Sequence, residues 1–262
     1  MLEVSHLSCG YTDVPVVKDV SFQVEKGRRF CILGPNGCGK TTLLRGLAGI
    51  LPITGSVKVQ GVDLKELSAR QKSRRIALMS QLSTTYFAYT VYETVMLGRY
   101  AHQKRGVFSG ETEKDHRIVQ ENLERVGMFK YKDRLITELS GGQLQRVFLA
   151  RVFVQEPQVI LLDEPTNHLD LKYQLELIEM LKEWVGDGER CVVGVLHDIN
   201  LALSFADDIL LMEDGAAVAC ENVKDFDLSL FNSIYHMNVR QFMQDSLQRW
   251  KNGGEIYTFE HK

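Results

Sequence analysis

The sequence predicts an α/β fold that is interrupted by a helical segment. Two short apolar runs, at residues 159–162 and 192–196, are typical of buried parallel strands. Between them, residues 171–185 carry apolar side chains at helical spacing, which indicates an amphipathic helix. Residues 91–154 are mostly helical in pattern and separate this region from a strand-rich N-terminal part.

The N-terminal part, up to about residue 62, contains short β-like runs punctuated by glycine. These runs are residues 14–24, 29–33 and 56–59. A helix is predicted over residues 40–50, because its leucines share one face. A short apolar strand at residues 76–79 follows and ends just before Gln81.

Three helices are predicted in the middle of the chain, at residues 91–100, 112–126 and 142–154. The tail after Val223 is expected to be irregular. We expect residues 1–222 to form one domain with a helical subdomain at about residues 85–150. Residues 223–262 are expected to form a C-terminal extension packed on that domain.

The bulk composition is that of an ordinary globular protein. The 262 residues are 44% hydrophobic and 25% charged, and the formal net charge is -3. This charge provides no general basic field for nucleic acid or anionic lipid, so no nucleic-acid partner is expected. No apolar run approaches the roughly 18 residues that a membrane-spanning helix needs, and no signal peptide is expected. Work at a membrane would therefore need a partner that holds the chain there.

The cysteines are expected to be free thiols in a reducing compartment. Their number is odd and no pair has CxxC spacing. The five are Cys9, Cys31, Cys38, Cys191 and Cys220.

A glycine-rich loop with a lysine and a hydroxyl follows the predicted strand at residues 29–33. It reads Gly34-Pro35-Asn36-Gly37-Cys38-Gly39-Lys40-Thr41-Thr42, which matches GxxxxGK[ST]. Glycines let backbone N–H groups wrap closely around phosphates, and the next helix presents its positive end to the anion. Lys40 supplies a charge to the outer phosphates, and Thr41 offers a hydroxyl ligand to Mg²⁺. The alternative, a chance glycine-rich turn, is disfavoured by the complete strand–loop–helix order, although kinases, GTPases and motors share this loop.

An apolar strand ends in two carboxylates at Asp163 and Glu164. Parallel strands deliver such side chains to their carboxyl ends, where α/β folds bind ligands. Asp163 can hold Mg²⁺, and Glu164 can act as a general base on the attacking water. The alternative is a strand that leaves the core into a solvated acidic turn. The position downstream of a phosphate loop favours the functional interpretation.

The pentapeptide Leu139-Ser140-Gly141-Gly142-Gln143 opens the predicted helix at residues 142–154. A helix start made of small residues is an anion site, because its N–H groups are free and its dipole is favourable. Together with the phosphate loop, this segment resembles the signature LSGGQ of the ATP-binding cassette (ABC) ATPase family. The resemblance covers nearly the whole chain, with the motifs in family order. It implies a P-loop ABC ATPase core with an antiparallel β subdomain and a helical subdomain.

The resemblance also implies roles for individual residues. Tyr11 would stack on adenine, although a β-strand surface aromatic is the alternative. Gln81 would lie near Mg²⁺ and the lytic water, as a metal contact beside Thr41 and Asp163. His197 would be the switch histidine that contacts the γ-phosphate and orients the water, although histidines at strand ends are more often solvated or core residues. The D-loop at the dimer interface would be Asn167, His168, Leu169 and Asp170.

The family arrangement implies that ATP joins two cassettes. The signature of one subunit binds the γ-phosphate held by the phosphate loop of the other, so the resemblance implies a second ABC ATPase subunit, in a homodimer or a heterodimer. Cys38 stands where the family usually has serine. Because its neighbours carry the chemistry, activity is expected to survive this change.

The segment at residues 91–102, continued by Gly106-Val107-Phe108, is similar to the LGRYPH…FG segment of iron-siderophore, haem and cobalamin importer ATPases. The similarity implies an ATP-hydrolysing importer subunit at the cytoplasmic face of the cell membrane. Its partners would be integral membrane permease subunits and, indirectly, a solute-binding protein. Arg99 and Tyr100 would lie near the surface that couples to the permease.

Three other interpretations of the sequence have to be compared with this one. Zinc, manganese and molybdate importers have comparable cassettes. A soluble ABC ATPase of iron–sulfur cluster assembly is the alternative outside transport, and the LGRY…FG segment argues against it. A small-molecule kinase is disfavoured by the LSGGQ signature and by His197.

Overall fold

The computed structural model describes residues 1–80, 88–103, 110–167, 169–186 and 188–252. Within these ranges the strands are β1 (Leu2–Cys9), β2 (Val17–Val24), β3 (Arg29–Leu33), β4 (Ile53–Val59), β5 (Val62–Asp63), β6 (Ile76–Met79), β7 (Val159–Asp163), β8 (Cys191–Val195), β9 (Asp208–Glu213) and β10 (Ala216–Asn222). The helices are α1 (Lys40–Leu47), α2 (Ala69–Ser73), α3 (Val91–Met96), α4 (Glu113–Arg125), α5 (Gly141–Phe153), α6 (Leu171–Val185), α7 (Ile199–Phe205), α8 (Leu230–Tyr235) and α9 (Val239–Asn252). The predicted α/β fold with an antiparallel β subdomain and a helical subdomain is confirmed.

The antiparallel subdomain is a four-stranded sheet in the order β2-β1-β4-β5. In β1, Leu2, Val4, Leu7 and Cys9 are buried, and they pack in the core that also contains the leucines of α1. One apolar face therefore holds this sheet against the helix that follows the phosphate loop.

The second sheet has six strands in the order β10-β9-β3-β8-β7-β6. β3 lies between β8 and β9 and is parallel to both, and β7 is parallel to β8 and β6. All residues of β7 and β8 are buried, as expected for strands covered on both faces. Because β3, β7 and β8 are parallel, the segments after them emerge at the same edge of the sheet.

The helical subdomain contains α3, α4 and α5, and each begins with a capping box. In each, a Ser or Thr side chain caps the helix, and an acid or amide three residues later bonds back to it. The predicted helix at residues 91–100 is shorter in the structure, since α3 ends at Met96 and continues as a 3-10 turn over Leu97–Arg99.

The side chain of Arg99, which the sequence analysis expects near the coupling surface, is buried. Arg99 is 2% exposed and donates to Asp115 at 2.8 Å, to Glu156 at 2.6 Å and to the carbonyl of Val154 at 2.7 Å. These bonds join the segment after α3 to α4 and to the end of α5, which explains the burial. Tyr100 is 77% exposed.

The described part of the tail, residues 224–252, is mostly helical, contrary to the prediction of an irregular segment. It forms α8 and α9. Phe231, Ile234 and Val239 are buried in the hydrophobic core that also contains residues of α5, α6 and α7. The local helical signal is weak because α8 has only six residues and is followed by His236 in the left-handed region, with φ of 51°. Tertiary burial therefore orders a segment whose own helical preference is small.

All five cysteines are free thiols, as expected; four are buried and Cys220 is exposed. Among the described residues, no helix has the length and apolar character required to span a bilayer.

Candidate nucleotide-binding site

The phosphate loop turns sharply between β3 and α1. Gly34, Gly37 and Gly39 have φ of 150°, 83° and 102°, a region that favours glycine. A Cβ on Gly34 would lie 2.2 Å from the carbonyl oxygen of Met212 in β9. The loop thus needs glycine at this position both for its turn and for its close approach to the sheet.

Lys40 begins α1 and is buried at the base of the loop. Its Nζ donates to the carbonyls of Gly34 and Pro35, both at 2.8 Å. The ammonium group is thereby placed beside the N-terminal end of α1, where helix dipole and side chain together favour an anion.

Thr41 and Asp163 connect the phosphate loop to the end of β7. Thr41 Oγ1 donates to Asp163 Oδ1 at 2.8 Å, and Asp163 is buried. Burial raises the pKa of the Asp163 carboxyl, while the hydrogen bond from Thr41 acts in the opposite direction. A hydroxyl beside one carboxylate suits Mg²⁺, which takes few protein oxygens and completes its shell with water and phosphate.

Glu164 has partners at both carboxylate oxygens. His197 Nε2 lies 2.6 Å from Oε1, and Asn167 Nδ2 donates to Oε2 at 2.5 Å. The backbone of Glu164 has φ of 53°, which is strained for a residue with a side chain. Its N–H donates to the carbonyl of Val195 at the end of β8, at 3.2 Å, so the strained turn is tied to the neighbouring strand.

These groups surround one open cavity of about 470 Å³. Its described lining is Val16, Asn36, Gly37, Gly39, Lys40, Thr41, Thr42, Glu164, Asn167 and His197. The structure therefore brings together the phosphate loop, the acidic strand end and the histidine that the sequence analysis selected from three distant segments.

Cys38 lies under the loop rather than in this lining. It is 5% exposed, its Sγ is 3.9 Å from Lys40 Nζ, and burial raises the pKa of its thiol. The thiol is therefore protonated and poorly nucleophilic at neutral pH.

The signature segment begins α5 away from the described lining of the cavity. Ser140 is the N-cap of α5, and Gln143 Oε1 accepts from the Ser140 N–H at 3.0 Å. Leu139 precedes the cap in extended backbone, and a Cβ on Gly141 would meet open space. A Cβ on Gly142 would lie 3.0 Å from the ring of Tyr173 in α6. Glycine at 142 thus allows close packing, while the face at 141 is open.

The predicted D-loop residues have separate positions. Asn167 contacts Glu164, Leu169 donates its N–H to the carbonyl of Thr166 at 3.3 Å, and Asp170 caps α6 by accepting from the N–H of Tyr173 at 3.1 Å. His168 and Gln81 lie outside the described residues.

Tyr11 is 56% exposed on the segment after β1. Arg45 of α1 donates from Nη1 to its hydroxyl at 2.8 Å, and the guanidinium lies 5.8 Å from the ring centroid. An exposed ring held against the helix of the phosphate loop is compatible with base stacking, and that role stays a prediction.

Three features of the site were not found from the sequence. Val16 lines the cavity, Asn167 holds Glu164, and Gln145 donates to the carbonyl of Pro165 at 2.6 Å. Asn167 is in the predicted D-loop and Gln145 lies two residues after the signature segment, but which atoms they contact depends on how the loops fold.

The chain belongs to the ABC transporter family, whose model matches residues 17–167. Its nucleotide-binding unit is therefore an ATP-binding ATPase domain.

Two relatives and one solved structure support the assignment to this family. The chain is 42% identical over 217 residues to the uncharacterized ABC transporter ATP-binding protein YvrA of Bacillus subtilis, covering 82% of this chain and 49% of that protein. It is 36% identical over 214 residues to the petrobactin import ATP-binding protein FpuD of Bacillus anthracis, covering 81% and 78%. The chain thus spans about half the length of the first relative and about four fifths of the second. A solved structure described as a metal-chelate type ABC transporter, in an inward-facing conformation, superposes with a TM-score of 0.77 at 28% identity, covering 90% and 88%.

Proposed function

We propose that this chain hydrolyses ATP with Mg²⁺ to drive the uptake of a metal chelate through a membrane permease. ATP hydrolysis is supported by one observation, the cavity that Lys40, Thr41, Glu164 and His197 line together. The substrate class is supported by the similarity to a petrobactin import ATP-binding protein and to a metal-chelate type transporter.

Positioning and charge stabilisation account for most of the proposed catalysis. Backbone N–H groups of the phosphate loop and the Lys40 ammonium bind the phosphates. Thr41 and Asp163, together with Gln81, would hold Mg²⁺, which would supply positive charge to the phosphates. Tyr11 stacks on the adenine base.

The carboxylate of Glu164 accepts a proton from the attacking water, and His197 orients both groups. The 2.6 Å contact of His197 with Glu164 supports this pairing, because it holds the carboxylate at the edge of the cavity. Glu164 follows β7 and His197 follows β8, so the two side chains lie at the ends of adjacent parallel strands.

A second subunit completes the site. The signature segment, residues 139–143, binds the γ-phosphate of nucleotide held by the partner cassette, and residues 167–170 lie at that interface. The capped start of α5 and the open face at Gly141 support this arrangement, since α5 presents free N–H groups there. A homodimer is the simplest form. Residues 1–222 form the ATPase domain and residues 223–262 its extension.

The proposal places the chain at the cytoplasmic face of the membrane, bound to permease subunits that receive solute from a binding protein. The test is a complementation assay with wild-type chain and with Lys40→Ala, in cells that lack the native gene. Uptake of labelled ferric siderophore, haem and cobalamin is measured alongside identification of proteins that co-purify after detergent extraction. Lys40-dependent uptake of one chelate and recovery of a multi-helix permease are expected. Recovery of soluble iron–sulfur assembly proteins without a permease would overturn the transport proposal.

A further inference from the structure

The loop after Glu164 is held by two helices through glutamine side chains. Gln145 of α5 is 8% exposed and donates from Nε2 to the carbonyl of Pro165 at 2.6 Å. Gln174 of α6 donates to the carbonyls of Thr166 at 3.3 Å and of Leu169 at 3.1 Å. The backbone of this loop is therefore anchored from both sides by buried or half-buried amides.

The first turns of α5 and α6 are packed closely together. Gly142 faces the ring of Tyr173 at a distance that leaves little room for a methyl group. Arg146, one turn further along α5, forms an ion pair with Glu176 of α6, and its guanidinium lies 5.3 Å from the centroid of Tyr173. A displacement of the start of α5 must therefore displace α6 or the loop between them, because packed interiors transmit strain.

Pro165 links these contacts to the site. It directly follows Glu164, and its ring fixes its own φ, so its carbonyl position is strongly coupled to the preceding residue. Glu164 is already in a strained backbone conformation, and its side chain is held by Asn167 from the same loop. The orientation of the Glu164 carboxylate thus depends on where the carbonyl of Pro165 is held.

We infer that Gln145 is a positioning residue that couples the signature segment to Glu164 within one subunit. When the start of α5 binds nucleotide held by a second subunit, α5 shifts. Because Gln145 of α5 is hydrogen-bonded to the carbonyl of Pro165, this shift also moves the loop that contains Glu164. This inference rests on the proposed function, because it requires the signature to bind nucleotide in trans. The described lining of the cavity includes Lys40 but not Gln145, so the bond acts on turnover rather than on nucleotide binding.

The test compares Gln145→Leu, which keeps similar volume and removes the donor, with wild type. Steady-state ATPase rates of the full chain are measured across ATP concentration, together with the thermal midpoint. We expect kcat to fall about 10-fold, because a small misplacement of the base slows the reaction. KM is expected to change less than about twofold, since the phosphate loop is intact.

Gln155→Leu is the matched control. Gln155 lies just beyond the C-terminal end of α5 and donates to the carbonyl of Ile76 at 3.0 Å. Gln155→Leu loses the same type of side-chain hydrogen bond, to the backbone carbonyls of Ser73 and Ile76, which are not part of the loop after Glu164, and it should keep the wild-type kcat. Gln145→Glu, which has the same length but no amide donor, repeats the test if Gln145→Leu folds poorly.

Two results would overturn the coupling: an unchanged kcat in folded Gln145→Leu or Gln145→Glu, or an equal fall of kcat in Gln155→Leu. A fall in kcat that appears only with a matching rise in KM would do the same, because it would indicate damage to nucleotide binding. These results differ from failure of the proposed function, in which wild type itself shows no ATPase activity that depends on Lys40.

Discussion

His197 Nε2 lies 2.6 Å from Oε1 of Glu164, and this contact joins the ends of two adjacent parallel strands. Asn167 holds the other carboxylate oxygen at 2.5 Å. With partners on both oxygens, the carboxylate has one orientation, toward the cavity that Lys40 and Thr41 also line. The predictions on catalysis follow from this arrangement.

Glu164→Gln is expected to bind ATP and to lose at least about 100-fold in kcat, because an amide cannot accept the proton from water. ATP and Mg²⁺ should then hold the protein as a dimer, since the nucleotide that joins the subunits is not consumed. Size-exclusion chromatography with light scattering measures the mass, and ADP serves as the control. A monomer under both nucleotides would contradict the prediction.

Lys40→Ala is expected to abolish ATP hydrolysis, because the ammonium that the loop carbonyls hold beside the start of α1 is lost. Phosphate release at saturating ATP measures the effect. Lys18→Ala, an exposed lysine of β2, is the control and should keep the wild-type rate. Wild-type turnover in Lys40→Ala would refute the assignment of the phosphate loop.

Arg99→Ala is expected to lower the free energy of unfolding by about 3–5 kcal/mol, because it leaves the buried carboxylate of Asp115 without its guanidinium partner. Urea unfolding followed by circular dichroism measures the change. Tyr100→Ala, at an exposed neighbouring side chain, is the control and should stay within about 0.5 kcal/mol of wild type. A loss in Arg99→Ala no larger than in this control would show that the buried ion pair adds little.

Stability should fall in acid as Asp115 becomes protonated. Burial alone would raise the pKa of Asp115, but hydrogen bonds from Thr112 and Arg99 outweigh it and lower the pKa to about 2. Because the pKa of Asp115 in the folded state is below its pKa in the unfolded chain, ionised Asp115 makes its full contribution to the free energy of unfolding above the ordinary pKa near 4. This stabilising contribution is lost as the pH falls from about 4 toward 2.

Asp115→Asn is the matched variant for this pH dependence. Urea unfolding of wild type and Asp115→Asn at several pH values should show a stability difference that shrinks as the pH falls below about 4. A difference that stays constant down to the lowest pH at which both proteins fold would contradict the role of Asp115.

The motif residues were predictable because their chemistry requires particular residue types at short spacing. Glycines at 34, 37 and 39, the lysine at 40 and the two carboxylates at 163 and 164 were selected on that basis, and the structure brings the loop and Glu164 to one cavity. The parallel strands were predictable for a related reason, since strands buried on both faces are continuously apolar.

Only the tertiary structure decided the burial of Arg99, the order of the tail and the partners of Glu164. Arg99 reads as a surface residue in isolation, and its acceptors come from two later parts of the chain, at Asp115 and at residues 154–156. The helix α8 is too short to be stable by its own propensity and is ordered by burying Phe231. Contacts between residues far apart in sequence produce no periodic pattern in the local sequence. They are therefore determined only when the sheets and helices pack together.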